Sequence, residues 1–161
     1  MLVSGKIGAM NQQSFDAPVK ILVVDDHPNT ATTLARAIAQ LGSKVEVLSA
    51  TSGTEALERV KDKTADILIT DMLMPGMTGL ELIEKLQNRL AGCPTFLYLM
   101  TAYDVPGLDA IAQSLKINEV IIKPVHPERI CQIVNKAITS MKNEIHSSQE
   151  PMKGRHNEKI I

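Results

Sequence analysis

The feature that most constrains this chain is an alternation repeated five times. A short aliphatic or β-branched run gives way, each time, to a segment whose apolar residues recur at helical spacing. The runs are Val19 to Val24, Lys44 to Ser49, Asp66 to Thr70, Thr95 to Met100 and Glu119 to Ile122. Such near-continuous apolar runs suit strands buried on both faces, as in a parallel sheet covered by helices. Each helix following a strand forms a right-handed crossover, so the pattern predicts an α/β domain with a doubly wound five-stranded parallel sheet and five helices.

Local signals place the helices between the runs. The first is expected from Thr30 to Leu41, capped by Asn29 or Thr30 and closed by Gly42. The second runs from Ser52 or Thr54 to Lys61, and the third follows Leu80, Leu82, Ile83, Leu86 and Leu90 toward Gly92 and Pro94. Asp104 is expected to cap the fourth, with Pro106 in its first turn. The fifth spans Pro127 to about Met141. Residues 1–17 carry no sustained period and read as a flexible leader, residues 18–142 as the folded domain, and residues 143–161 as a flexible or partly helical tail.

Composition narrows the functional classes. Seventeen basic and eighteen acidic side chains leave a formal charge of −1, so no global field draws the chain to nucleic acid or an anionic surface. In the tail, Lys153, Arg155 and Lys159 are offset by Glu144, Glu150 and Glu158, which argues against a nucleic-acid arm. No apolar stretch approaches the ~18 residues of a membrane helix, and the first residues lack the profile of a secretion signal. Cys93 and Cys131 have neither disulfide-framework nor metal-ligand spacing and are read as buried thiols of a cytoplasmic protein.

In a doubly wound sheet the carboxyl ends of the strands share one edge, where ligands bind. The residues brought there are Asp25 and Asp26 after the first strand, Asp71 after the third, Thr101 after the fourth and Lys123 after the fifth. Three clustered carboxylates call for a hard divalent cation with oxygen ligands, Mg²⁺ first and Mn²⁺ as the alternative. A cation, an ammonium and a hydroxyl around one carboxylate suit a phosphoryl group, with Asp71 as the nucleophile that becomes an acyl phosphate. His27 and His126 read as polar loop residues, and Met72, Met74 and Met77 as loop packing.

The set DD (Asp25, Asp26), DMLMPGMTG (Asp71 to Gly79), TAY (Thr101 to Tyr103) and KP (Lys123, Pro124) closely resembles the receiver domain of two-component response regulators. The resemblance covers roughly Pro18 to Met141, with intervals of 45, 30 and 22 residues between Asp26, Asp71, Thr101 and Lys123. It implies a CheY-like fold of strand order 2-1-3-4-5. It further implies that Asp71 takes phosphate from a sensor histidine kinase or a histidine phosphotransfer protein, and with a tail too short to supply a DNA-binding half the chain is read as a stand-alone phosphoacceptor. Asp26, Asp71 and the Leu73 carbonyl would ligate Mg²⁺, with Asp25 nearby. Thr101 would bond the phosphoryl group, Lys123 would pair with it, and the Lys123–Pro124 peptide would be cis. The output would pass through contacts with a downstream protein, from a monomer or a phosphorylation-dependent dimer, without direct nucleic-acid binding.

Two positions depart from the family pattern. Val120 stands where an aromatic usually swings inward with Thr101, which leaves Tyr103 as a candidate substitute in the switch. Leu73 stands where polar side chains are common, so the acyl phosphate is expected to be long-lived. Four rival readings remain: a receiver within a longer transcription regulator, one within a hybrid kinase, an unphosphorylated binding receiver, and an Asp-nucleophile phosphatase. The last expects a second Asp where Leu73 stands.

Overall fold

The computed structural model describes residues 17–62, 64–89 and 94–147. Five parallel strands form one sheet: β1 (Val19–Val24), β2 (Val45–Ala50), β3 (Ile67–Asp71), β4 (Phe96–Thr101) and β5 (Glu119–Ile122). Their order is β2-β1-β3-β4-β5, as expected. Five helices alternate with them: α1 (Pro28–Ala39), α2 (Gly53–Arg59), α3 (Gly79–Gln87), α4 (Leu108–Ser114) and α5 (Pro127–Ser147).

The period of two along each strand divides the core into two layers. Leu22, Val24, Leu68, Leu97 and Leu99 point to the side where Ala56 of α2 and Leu82, Ile83 and Leu86 of α3 pack. Ile21, Val23, Ile67, Ile69, Tyr98 and Met100 face the other side, against Leu34 and Ile38 of α1 and Ile130, Ile133 and Val134 of α5. Both faces of the central strands are thereby dry, which is why their sequences lack polar alternation.

Several boundaries differ from the sequence reading. α1 begins at Pro28, capped by the His27 backbone rather than by Asn29 or Thr30, because proline at the first helical position presets φ and needs no hydrogen-bonded N–H. Ser52 does cap α2, its hydroxyl accepting from Glu55 N–H. α3 ends at Gln87 with Asn88 as its cap; Leu90, Gly92 and Cys93 lie outside the described residues. Asp104 does not cap α4, which starts only at Leu108 after Gly107 in the left-handed conformation (φ 81°). Pro106 disfavours helical backbone at Val105, so a helix capped at Asp104 cannot run through it. α5 continues through Ser147, past the expected end near Met141. Cys131 is half-buried rather than fully buried, and burial followed by nearby Glu128 raises its thiol pKa.

Candidate functional site

Strand register builds the site. Val24 of β1 aligns with Thr70 of β3, Asp71 of β3 with Met100 of β4, and Thr101 of β4 with Ile122 of β5. The next residues are pinned by bonds that extend the ladder: Asp25 N–H to Ala50 O at 3.1 Å, Met72 N–H to Met100 O at 2.8 Å and Lys123 N–H to Thr101 O at 2.8 Å. Asp25, Asp71, Thr101 and Lys123 are therefore held by the rigid sheet. The crevice lies where the chain turns from the β2 side of β1 to the β3 side, the topological switch point.

Asp71 closes β3 and does not begin the loop, a one-residue shift from the sequence reading. Behind it, Gly79 N–H donates to Met72 O at 2.8 Å, and a Cβ on Gly79 would stand 2.1 Å from the Asp71 carbonyl oxygen. The start of α3 thus packs directly on the Asp71 backbone. Thr78 and Glu81 close that helix end in a reciprocal capping box. Met72 and Met74 are buried and Met77 packs on the same core, so these methionines are loop packing, as read from the sequence.

Lys123 ties the carboxylates together. Its Nζ lies 2.9 Å from Asp25 Oδ2 and 3.2 Å from Asp71 Oδ2. Asp25 is fully buried, and its Oδ1 accepts the His27 N–H at 2.9 Å. Burial raises the pKa of Asp71; Lys123 acts to lower it, and the neighbouring Asp25 and Asp26 raise it. For Lys123, burial works against the charge, but its bonds to Asp25 and Asp71 leave the pKa raised. The expected cis peptide joins Lys123 to Pro124.

Asp26 Oδ1 is buried without a hydrogen-bond partner. His27 Nδ1 lies 3.2 Å from it and 3.3 Å from Asp25 Oδ1, and the tautomer of the ring sets whether that nitrogen carries a proton. One donor atom each from Asp25, Asp26, His27 and Asp71 can lie within 4.8 Å of one another. Converging carboxylates with an orphaned oxygen fit a hard divalent cation. The cleft, about 360 Å³, is also lined by Leu73, Thr101, Ala102, Tyr103 and Lys123.

Thr101 is buried, and its hydroxyl is engaged by its own loop, donating to Tyr103 O at 3.0 Å and accepting from Tyr103 N–H at 3.2 Å. Tyr103 and Leu73 stand 64% and 55% exposed at the cleft mouth. Val120, in register with Leu99, packs against the core layer beneath α2 and α3, away from this cleft. From the sequence His27 is expected to be a polar loop residue beside the acidic pair. Its place directly after Asp25 and Asp26 was the available signal for its position in the cluster.

Fold and crevice define a doubly wound α/β protein with a cation-ready acidic pocket at the carboxyl edge of its sheet. Residues 21–135 match the model of the response regulator receiver domain, and the chain belongs to that family. The positive alginate biosynthesis regulatory protein of Pseudomonas aeruginosa is 35% identical over 120 residues, spanning 74% of this chain and 47% of that protein. The sensory transduction protein LytT of Enterococcus faecalis is 34% identical over 121 residues, spanning 75% and 48%. The chain thus spans about half the length of these curated relatives. A CheY-like receiver domain protein from Methanospirillum hungatei shares the fold at TM-score 0.70 and 22% identity, over 80% of this chain and 99% of that one. Receiver domains serve signalling in two-component systems, bind Mg²⁺ through an acidic pocket, and interact with histidine kinases and downstream effectors. No helix among the described residues is long and apolar enough to cross a membrane.

Proposed function

We propose that Asp71 accepts a phosphoryl group from the phosphohistidine of a sensor histidine kinase or a histidine phosphotransfer protein. The observation that carries this reading is the Lys123 ammonium shared between Asp25 and Asp71, with the Asp71 carboxylate opening on the cleft. An Asp71 carboxylate oxygen attacks phosphorus, the phosphorus–nitrogen bond of the donor breaks, and the imidazole leaves with the bonding pair. Lys123 stands ready to neutralise charge on the transferred group. Asp25, Asp26, Asp71 and the Leu73 carbonyl would hold Mg²⁺ or Mn²⁺, which supplies charge neutralisation for phosphoryl oxygens.

Thr101 must exchange its bonds to the Tyr103 backbone for one to the phosphoryl group. That exchange links occupancy of Asp71 to the exposed Tyr103 at the rim, a switch route suited to a domain with Val120 in β5. With apolar Leu73 at the mouth, the site lacks a side chain there to orient a hydrolytic water, and the acyl phosphate persists. Residues 18–142 then work as a stand-alone receiver reporting through protein contacts. A receiver unit within a longer regulator is the second reading, favoured by the greater length of the relatives.

The test is incubation with a small phosphodonor and Mg²⁺, followed by intact mass measurement. The wild type gains one phosphoryl group and Asp71→Asn gains none. No gain on the wild type, or equal gain on the variant, rejects the reading.

A further inference from the structure

His27 lies in the crevice, yet the phosphoacceptor chemistry gives it no part. It is the N-cap of α1, but its side chain makes no capping hydrogen bond to that helix. The ring is turned instead on the carboxylates, with Nδ1 3.3 Å from Asp25 Oδ1 and 3.2 Å from Asp26 Oδ1. Two features hold this pose. The His27 N–H donates to Asp25 Oδ1 at 2.9 Å, and Pro28 fixes the helix start immediately after it.

The cluster has two sides. Lys123 takes the Oδ2 atoms of Asp25 and Asp71, whereas the His27 ring approaches the Oδ1 atoms of Asp25 and Asp26. On that second side Asp26 Oδ1 is buried and lacks a hydrogen-bond partner. In the tautomer that carries its proton on Nε2, the His27 Nδ1 lone pair and an unsatisfied carboxylate oxygen meet, and their separation suits two ligands sharing one ion.

We propose that His27 Nδ1 is an additional ligand of the divalent-cation site, giving it a preference for nitrogen-accepting cations such as Co²⁺ and Zn²⁺ over Mg²⁺. This rests on the reading of the acidic crevice as a cation site. Mg²⁺ takes oxygen donors and sheds water reluctantly, so an imidazole adds little to its binding. Later first-row divalent ions gain more from an imidazole, in the Irving–Williams order. The 74% exposed side chain leaves the ring room to settle onto an ion while its backbone stays fixed.

The full chain is titrated calorimetrically with Mg²⁺ and with Co²⁺, for the wild type, His27→Ala, His27→Asn and Asp26→Asn. Asn preserves a capping residue at the start of α1 and so separates ligation from helix stability. Cobalt held elsewhere on the chain appears in the Asp26→Asn titration and is subtracted. Both His27 variants should lose at least about tenfold in Co²⁺ affinity while Mg²⁺ affinity stays within about twofold. Pulsed electron paramagnetic resonance of the Co²⁺-loaded wild type should show coupling to one imidazole nitrogen, absent from both variants.

Equal effects on Mg²⁺ and Co²⁺, or no nitrogen coupling in the wild type, overturn the assignment of His27. Cation binding that fails to respond to Asp26→Asn removes the underlying cation site as well. Binding that needs Asp26 but ignores His27 removes the His27 ligand alone.

Discussion

Replacing Gly79 by alanine sets two effects against each other, and the structure decides between them. Helix propensity favours alanine over glycine by about 1 kcal/mol in a helix interior and by no more than that at Gly79, the first residue of α3, so a surface view predicts stabilisation. The added Cβ, however, would stand 2.1 Å from the Asp71 carbonyl oxygen, 3.0 Å from its carbonyl carbon and 3.1 Å from Leu99 Cδ1. Favourable carbon contacts lie near 3.5–4.0 Å, so about 1 Å or more must come from moving backbone. That backbone is the end of the central strand β3, tied by Met72 N–H to β4 and by Met72 O to Gly79 itself. Overpacking of this kind costs about 1–3 kcal/mol, and a rigid neighbour puts the cost at the upper end. Less the propensity gain, Gly79→Ala should destabilise the domain by about 2 kcal/mol, or roughly 8 °C in Tm for a domain of this size. Gly53→Ala is the comparison, because its Cβ would meet only the Met77 side chain, Sδ at 2.6 Å and Cγ and Cβ at 2.9 Å, so a shift of the Met77 loop relieves it without displacing sheet backbone. Urea unfolding followed by far-ultraviolet circular dichroism reads both variants at constant m-value. A Gly79→Ala protein as stable as wild type, or no less stable than Gly53→Ala, refutes the reasoning.

Asp71→Asn should be more stable than wild type at pH 7 in the presence of a chelator. Asp71 has a raised folded pKa, so the folded state binds its proton more readily than the unfolded state does, and stability falls as pH climbs from the unfolded value near 3.8 through the folded one. The advantage of Asn should therefore fade on acidification below 3.8; a gap independent of pH contradicts it. Thr78→Ala removes the capping box of α3 and should cost about 1 kcal/mol in urea unfolding, an unchanged midpoint being the contrary result. Leu73→Asn should shorten the lifetime of the phosphorylated protein several-fold, followed by loss of the phosphoryl mass; an equal or longer lifetime would show that Leu73 does not shield the site.

The strands were legible because the sheet is covered on both faces and its central runs are apolar throughout. Their carboxyl ends were less so. Asp71 and Thr101 look like loop residues by polarity, yet both remain paired in the ladder, to Met100 and Ile122. The convergence of Asp25, Asp26, Asp71, Thr101 and Lys123 was readable because parallel topology sends each strand end to one edge. The ring direction of His27 was not, since it depends on how α1 leaves β1. The Gly79 contact was equally hidden, because one chain position gives no sign of the backbone it will face. At α4, Pro106 was accommodated in a first turn on local rules, but Gly107 in the left-handed region defers the helix to Leu108.

The most direct test of the central claim is chemical trapping on the phosphorylated wild type. Hydroxylamine attacks an acyl phosphate and leaves a hydroxamate in its place, which peptide mass spectrometry can locate. A hydroxamate at Asp71 that depends on prior phosphodonor and Mg²⁺ is the expected result. A modification at Asp25, Asp26 or His27, or phosphate that resists hydroxylamine, would contradict it.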